Sequence, residues 1–177
     1  MSTPRPSRLR PAALLALMTT AAASPLCGAQ SPPVPATFTV KLLTPEAALI
    51  AAQAGLAHCR KNGHQVAVAV VDREGVLQVL LRDRLAGAHT VEVAPQKAWT
   101  AASVKISTTA FAHETQQGKA MSGLRAQPRL RAAGGGLPTE AGGSLLGGIG
   151  VCGAPGGDAD EACAAAGLKA LADDIEF

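Results

Sequence analysis

Aromatic side chains are nearly missing from this chain. Its 177 residues include three Phe, one Trp and no Tyr. That excludes the stacked-ring platforms on which single-stranded nucleic acids are held, and it leaves a core to be built from Ala, Val, Leu and Ile. Metal-binding spacings are missing too. His58, His64, His89 and His113 form no HxxxH or HExxH pair and there is no CxxC, so no built-in zinc or di-iron site is predicted. Neither Ser122 nor Ser144 sits in a GxSxG elbow, and Cys59 has no evident His–Asn partnership, so nucleophilic hydrolysis finds no support. Long hydrophobic runs are also lacking. The apolar stretch from Ala12 to Ala23 is too short to span a bilayer as a helix, and no transmembrane anchor is predicted.

That short run follows Arg5, Arg8 and Arg10 and precedes Cys27-Gly28-Ala29. A basic start, an apolar middle and small residues at the cut are the marks of a secretory signal, with cleavage expected after Ala29. Ser24-Pro25-Leu26 is a poor lipidation box before Cys27, and Arg8-Leu9-Arg10 is not a twin-arginine pair. The chain is read as a signal peptide over residues 1–29, an N-terminal tether over 30–42 and one domain over 43–177. The expected location is periplasmic or secreted. The leader carries three arginines and no acid, so the rest balances thirteen basic against thirteen acidic residues. The basic excess belongs to the leader, and no nucleic-acid partner is predicted.

Cys59, Cys152 and Cys163 remain after cleavage. An odd count in an oxidising compartment leaves at least one thiol unpaired or shared between chains. Cys152 and Cys163 lie at a strand end and early in the next helix; they either pair with each other or pack as small buried thiols.

Thr44-Pro45-Glu46 opens a helix, with a capping hydroxyl, a first-turn proline and an acid at the positive end. Its apolar spacing runs to a left-handed stop at Asn62-Gly63. His64 to Val71 is an apolar strand, returned by Val76 to Arg82 through the turn Asp72-Arg73-Glu74-Gly75. A second helix spans Val91 to Lys105, with Pro95 marking either its true start or an early position. Thr108 opens a third helix to about Gln117, and residues 118–133 are loop with helical turns. Leu137–Ala141 and Ser144–Val151 are strands joined at Gly142-Gly143, and Asp158 caps a final helix. Strands grouped in hairpins predict an α+β fold, with helices packed on an antiparallel sheet. Gly148, Gly150 and Gly153 have dinucleotide-fingerprint spacing, but they lie inside a strand with no βαβ unit around them. They are read as marks of close backbone approach.

The order of Gly134-Gly135-Gly136-Leu137-Pro138, then Leu145 to Gly153, then Asp160 to Leu168, with Lys97-Ala98-Trp99-Thr100-Ala101 upstream, resembles the GlcG/HbpS family of haem-binding or haem-degrading proteins. The likeness covers about Leu43 to Leu171. It implies a profilin-like antiparallel sheet of about five strands with helices packed on it, a homo-oligomer, and haem as cofactor.

On that resemblance Gly134, Gly135, Gly136 and Pro138 belong to a ligand-pocket rim, where backbone amides receive a propionate or a substrate carboxylate. Read from the residues alone, the triple glycine is a turn required for geometry. Lys97 either pairs with such an acid or forms an ion pair with Glu92 or Glu46. Thr108 either caps the third helix or turns its hydroxyl to the haem. His113, one turn beyond Thr109, is the candidate axial ligand to iron, and Leu124, Leu130, Leu137 and Val151 are candidate walls. Trp99 is read as core or oligomer interface. The alternative ligand is a small carboxylate bound by a periplasmic sensory or accessory module without haem.

Overall fold

Among the described residues four α-helices and four strands follow in the order the sequence predicts. This computed structural model describes residues 34–172, 174 and 175, so the expected signal segment lies outside the described residues. Thr39–Phe177 forms one compact unit.

Helix α1 is Pro45–Lys61, and the Thr44 hydroxyl accepts the Ala47 N–H at its start (3.2 Å). Strands β1 (Ala67–Asp72) and β2 (Leu77–Arg82) make the first hairpin. Helix α2 runs Thr90–Val104 with Pro95 inside it, so the helix starts before the proline. Helix α3 is Thr108–Glu114, and its cap is Ser107, whose Oγ accepts the Ala110 N–H. A 3-10 turn covers Ser122–Ala126. Strands β3 (Gly136–Ala141) and β4 (Ser144–Cys152) are joined by Gly142 and Gly143, both at positive φ (53° and 72°), the geometry of a type I′ hairpin. Helix α4, Gly157–Lys169, starts at Gly156 with no side-chain cap; Asp158 and Asp160 lie in its first turn instead.

The sheet has four antiparallel strands in the order β2-β1-β4-β3, one fewer than the expected five. Residues 34–43 form no strand, and Leu43 at their end is buried in the α1–α4 core. Strand pairing sets two different faces. Val68 lies opposite Val151 and Val70 opposite Ile149, and this β-branched face packs under α1 and α4 with Ala48, Ala52, Leu56 and Ala164. On the other face Ala69 lies opposite Gly150 and Val71 opposite Gly148, beneath Ala94, Ala98 and Ala102 of α2.

The second face explains the glycines of β4. A Cβ at Gly150 would stand 2.2 Å from the Ala94 carbonyl oxygen, and one at Gly148 would stand 2.5 Å from that of Ala98. Helix α2 therefore rests its backbone directly on the strand. A sheet without side chains there meets a helix of alanines, and no large aromatic is needed between them. The dinucleotide spacing is a packing device.

A disulfide joins Cys59 of α1 to Cys163 of α4 (Cα–Cα 5.5 Å), across 104 residues of sequence. The Cys152–Cys163 pairing considered above does not form. Alternation along β4 places Cys152 on the α2 face with Ala67 and Ala69, whereas Cys163 belongs to the α1–α4 side. Cys152 is a free, buried thiol, and burial pushes its pKa up.

Candidate functional site

Most of the expected site residues come together, but as a buried knot. Lys97 enters from α2 with 4% of its surface exposed. Its amine donates to the Val151 carbonyl (2.8 Å) and to Asp160 Oδ2 (2.7 Å). The other Asp160 oxygen accepts the Ala154 N–H (2.9 Å). Burial raises the Asp160 carboxyl, and Lys97 with the Ala154 N–H draws it back. The acid that pairs with Lys97 is thus Asp160, and neither Glu92 nor Glu46. It was missed because first-turn acids of a helix read as dipole partners in solvent.

The glycine turn closes over this pair. A Cβ at Gly135 would lie 2.6 Å from Asp160 Cβ and 3.0 Å from Lys97 Nζ. The Gly135 carbonyl accepts from Val151 N–H (2.9 Å), and the Gly136 N–H donates to Thr108 Oγ1 (2.8 Å). Thr108 is fully buried; its hydroxyl holds the start of β3 and caps no helix. Beside it, Thr109 hydrogen-bonds Glu161. Lys97, Thr108, Gly135 and Gly136 therefore bind α2, α3, β3, β4 and α4 together. Gly134 lies against Gly157, and Pro138 lies opposite Gly148 in the sheet.

His113 stands apart from this knot. Its ring is 68% exposed on α3, with Nδ1 at 2.8 Å from Glu114 Oε1. The candidate walls also separate. Val151 is core and Leu137 packs against the same α1–α4 cluster, while Leu124 is exposed on the 3-10 turn.

Open space lies elsewhere. A cleft of about 560 Å3 runs between the β1–β2 turn and α2, lined by Val71, Val76, Leu77, Pro95 and Trp99, with Glu74, Gln96 and Arg129 as its polar groups. Its volume is within the range of small-molecule and cofactor sites. Sequence reading missed it because it needs the hairpin turn and α2 side by side. The segment after α3 is strapped over α2 to complete it. The Arg131 N–H donates to Thr100 Oγ1 (2.8 Å), and Arg131 Nε donates to Gln96 Oε1 (2.8 Å). The Arg129 guanidinium then lies 4.2 Å from the centre of the Trp99 ring. Two further clefts, of about 410 and 350 Å3, flank the end of α4 and the start of α1. Among the described residues no three His, Cys, Asp or Glu side chains gather as a metal site. No helix there is long and apolar enough to cross a membrane.

Comparison with known proteins agrees with this architecture. A doubly substituted HbpS of Streptomyces reticuli is 39% identical over 80% of this chain and 98% of its own, with a TM-score of 0.72. The Klebsiella pneumoniae protein ORFY is 27% identical, over 79% and 97%, with a TM-score of 0.76. PduOC, solved as a haem complex, is 28% identical, over 74% and 96%, with a TM-score of 0.70. The corrinoid adenosyltransferase PduO of Citrobacter freundii is 37% identical over 90 residues. The match takes in half of this chain and only 27% of that much longer relative. Residues 43–169, which hold every helix and strand from α1 to α4, match the family described as haem degrading protein HbpS-like, and the chain belongs to that family.

Proposed function

We propose that this chain is an exported haem-binding protein that acts as a homo-oligomer. The observation that carries the reading is the family match across residues 43–169, together with a cleft of about 560 Å3 whose lining joins apolar side chains to the Arg129 guanidinium, with Glu74 and Gln96 as its other polar groups. A haem is a flat apolar plate with two acidic arms, and those two surface types are what it asks of a protein.

The fit differs among the expected contacts. Lys97 is committed to Asp160 and Val151, and Thr108 to Gly136, so neither is free to receive a propionate or iron. His113 keeps an available imidazole. A carboxylate on Nδ1 fixes the tautomer and leaves Nε2 as the donor atom, the arrangement common in metal-bound histidines. His113, backed by Glu114, is the residue that would hold haem iron at the surface of α3; neither residue lines the cleft, so the cleft and the His113 surface are alternative places for the ligand. Bound haem would supply iron-centred oxygen chemistry, and degradation with release of iron is the activity in keeping with the family.

Export is supported by the Cys59–Cys163 disulfide, since such bonds persist in oxidising compartments. Self-association is supported by β2, an edge strand beside which Leu85 is 77% exposed. One observation favours the second reading, a small-carboxylate binder without haem. The cleft lining holds no His, Cys, Met or Tyr, the side chains that ligate haem iron.

Titration of the mature protein with haemin, followed in the Soret region, tests the proposal. Saturation near one haem per chain, with a band displaced in His113→Ala, supports it. Weak, non-saturating spectra overturn it and leave the small-carboxylate reading. Mass spectrometry of the exported protein should find Gln30 at its N-terminus. Light scattering should find more than one chain per particle.

A further inference from the structure

We infer that the cleft between the β1–β2 turn and α2 recognises a carboxylate carried on a flat unsaturated ring, with Trp99 and Arg129 as its specificity-determining residues. The inference deepens the haem proposal and rests on it for the ring's identity as a tetrapyrrole. The cleft itself offers a planar acid the Arg129 guanidinium and an apolar surface, with Glu74 as the one acidic side chain in its lining.

The argument starts from the turn. Gly75 has φ +80°, and a Cβ there would stand 2.4 Å from Trp99 Cδ1 and 2.7 Å from Nε1. The hairpin turn is thus held hard against the edge of the indole, which fixes the ring of the chain's single Trp. The turn is itself tied down. Asp72 accepts the Val76 N–H (2.8 Å) on Oδ1 and the Gln78 amide (2.9 Å) on Oδ2. Trp99 therefore forms a rigid wall, only half-buried, in a chain that otherwise spends almost nothing on aromatics.

Arg129 sets the charge. Its guanidinium stacks on the indole at 4.2 Å, which fixes its plane, and among the described residues it makes no hydrogen bond or ion pair. Its neighbour Arg131 is spent on Gln96, so the two arginines of the strap divide the work of anchoring and presenting. A fixed guanidinium with its N–H fork unspent receives a carboxylate in two parallel hydrogen bonds. Val76, Leu77 and Pro95 supply the apolar surface for the ring. Of the two expected roles of Trp99, core and oligomer interface, the half-buried ring departs from plain core, because one side of it faces the cleft.

Four ligands separate the outcomes on the mature wild type, Arg129→Gln and Arg129→Lys. They are haemin, iron-free protoporphyrin IX, its dimethyl ester, and benzoate. Porphyrins are followed by their own absorption or fluorescence, and benzoate by the emission of the single Trp. Arg129 is exposed, so its variants should fold as the wild type does. Protoporphyrin IX should bind, and the ester and Arg129→Gln should each weaken binding about tenfold or more. Arg129→Lys should fall between, because the charge remains and the planar fork does not. If haemin binds equally well to all three proteins and the ester matches the diacid, the cleft assignment is overturned and the haem proposal stands. If haemin fails to bind but benzoate binds in an Arg129-dependent way, the haem proposal fails and the cleft remains as a site for small aromatic acids.

Discussion

Replacing both Cys59 and Cys163 by alanine removes the only covalent link between α1 and α4 while keeping the buried positions apolar. The bond closes a loop of 104 residues. By loop-closure entropy a cross-link over roughly 100 residues stabilises the folded state by about 4.7 kcal/mol, chiefly by restricting the unfolded chain. Domains have total stabilities of about 5–15 kcal/mol, so this is a large share. The share is larger still here, because alanine contributes much of the buried surface, from Ala48, Ala51 and Ala52 in α1 to Ala98, Ala101 and Ala102 in α2. Each buries less apolar area than a leucine would. At roughly 3–4 °C per kcal/mol for a domain of about 140 residues, Tm should fall by about 14–19 °C. Calorimetry of the mature protein measures it, and urea titration adds a second sign. Without the cross-link the unfolded state exposes more surface, so the slope m should rise along with the drop in midpoint. Thiol titration of the wild type should find one reactive sulfur after unfolding, that of Cys152, and three after reduction. A Tm change below about 3 °C with m unchanged would refute the entropic argument. It would mean that α1 and α4 stay associated in the unfolded ensemble.

Lys97→Met leaves the Asp160 carboxylate buried and unpaired, and should destabilise the fold by about 3–5 kcal/mol in chemical denaturation. The double variant Lys97→Met/Asp160→Leu should recover most of that; failure to recover would argue for a role of Lys97 beyond the pair. The buried carboxyl of Asp83 is held below the usual carboxylate range by Arg60, with help from the Arg84 N–H. A carboxyl whose folded pKa lies below its unfolded value, about 3.9, adds stability that is in place above that value and is lost as pH falls through the folded one. Urea midpoints between pH 7 and pH 3 should therefore decline less steeply in Asp83→Asn than in the wild type. An equal decline would show that the pair is not linked to folding. Gly150→Ala drives a methyl group into the backbone of α2 and should cost about 3 kcal/mol or more, above the common range for overpacked cores. A variant with unchanged stability would show that α2 can lift off β4 freely.

The element order was legible because each signal is local. Thr44-Pro45 opens α1, Gly142-Gly143 closes the β3–β4 hairpin, a valine-rich run marks β1 and a glycine-laden apolar run marks β4. What escaped is tertiary. Cys59 does fall on the buried stripe of α1 with Ala48, Ala52 and Leu56, and Cys163 on that of α4 with Asp160, Ala164 and Gly167. Helical periodicity thus turned both sulfurs inward, yet nothing in it says that the two stripes face each other. In β4 the signal was stronger. Strict alternation puts Cys152 with Gly148 and Gly150, away from Ile149 and Val151, and that argues against proximity to Cys163. The Lys97–Asp160 pair spans 63 residues and four elements of structure. No spacing rule links two residues so far apart in a chain.

The placement of Lys97, Thr108 and the glycine turn changes where recognition has to occur. Had Lys97 reached a ligand, its amine would need an open path, and it has almost none. Its hydrogen bonds instead lock the C-terminal end of β4 to α4, and the same glycines that look like an anion cradle are short so that Asp160 and the α2 backbone can come close. A motif kept for packing reads in sequence like a motif kept for binding, because both call for glycine and a cation. Exposure separates them. Lys97 is sealed, whereas Arg129 stands in solvent with an aromatic beneath it and a cleft beside it. A ligand can exchange the water on a polar group for its own hydrogen bonds only where that group is not already committed to protein partners. On the proposal above, recognition falls to the strap over α2, and the glycine turn is the clasp that holds the strap's end in place.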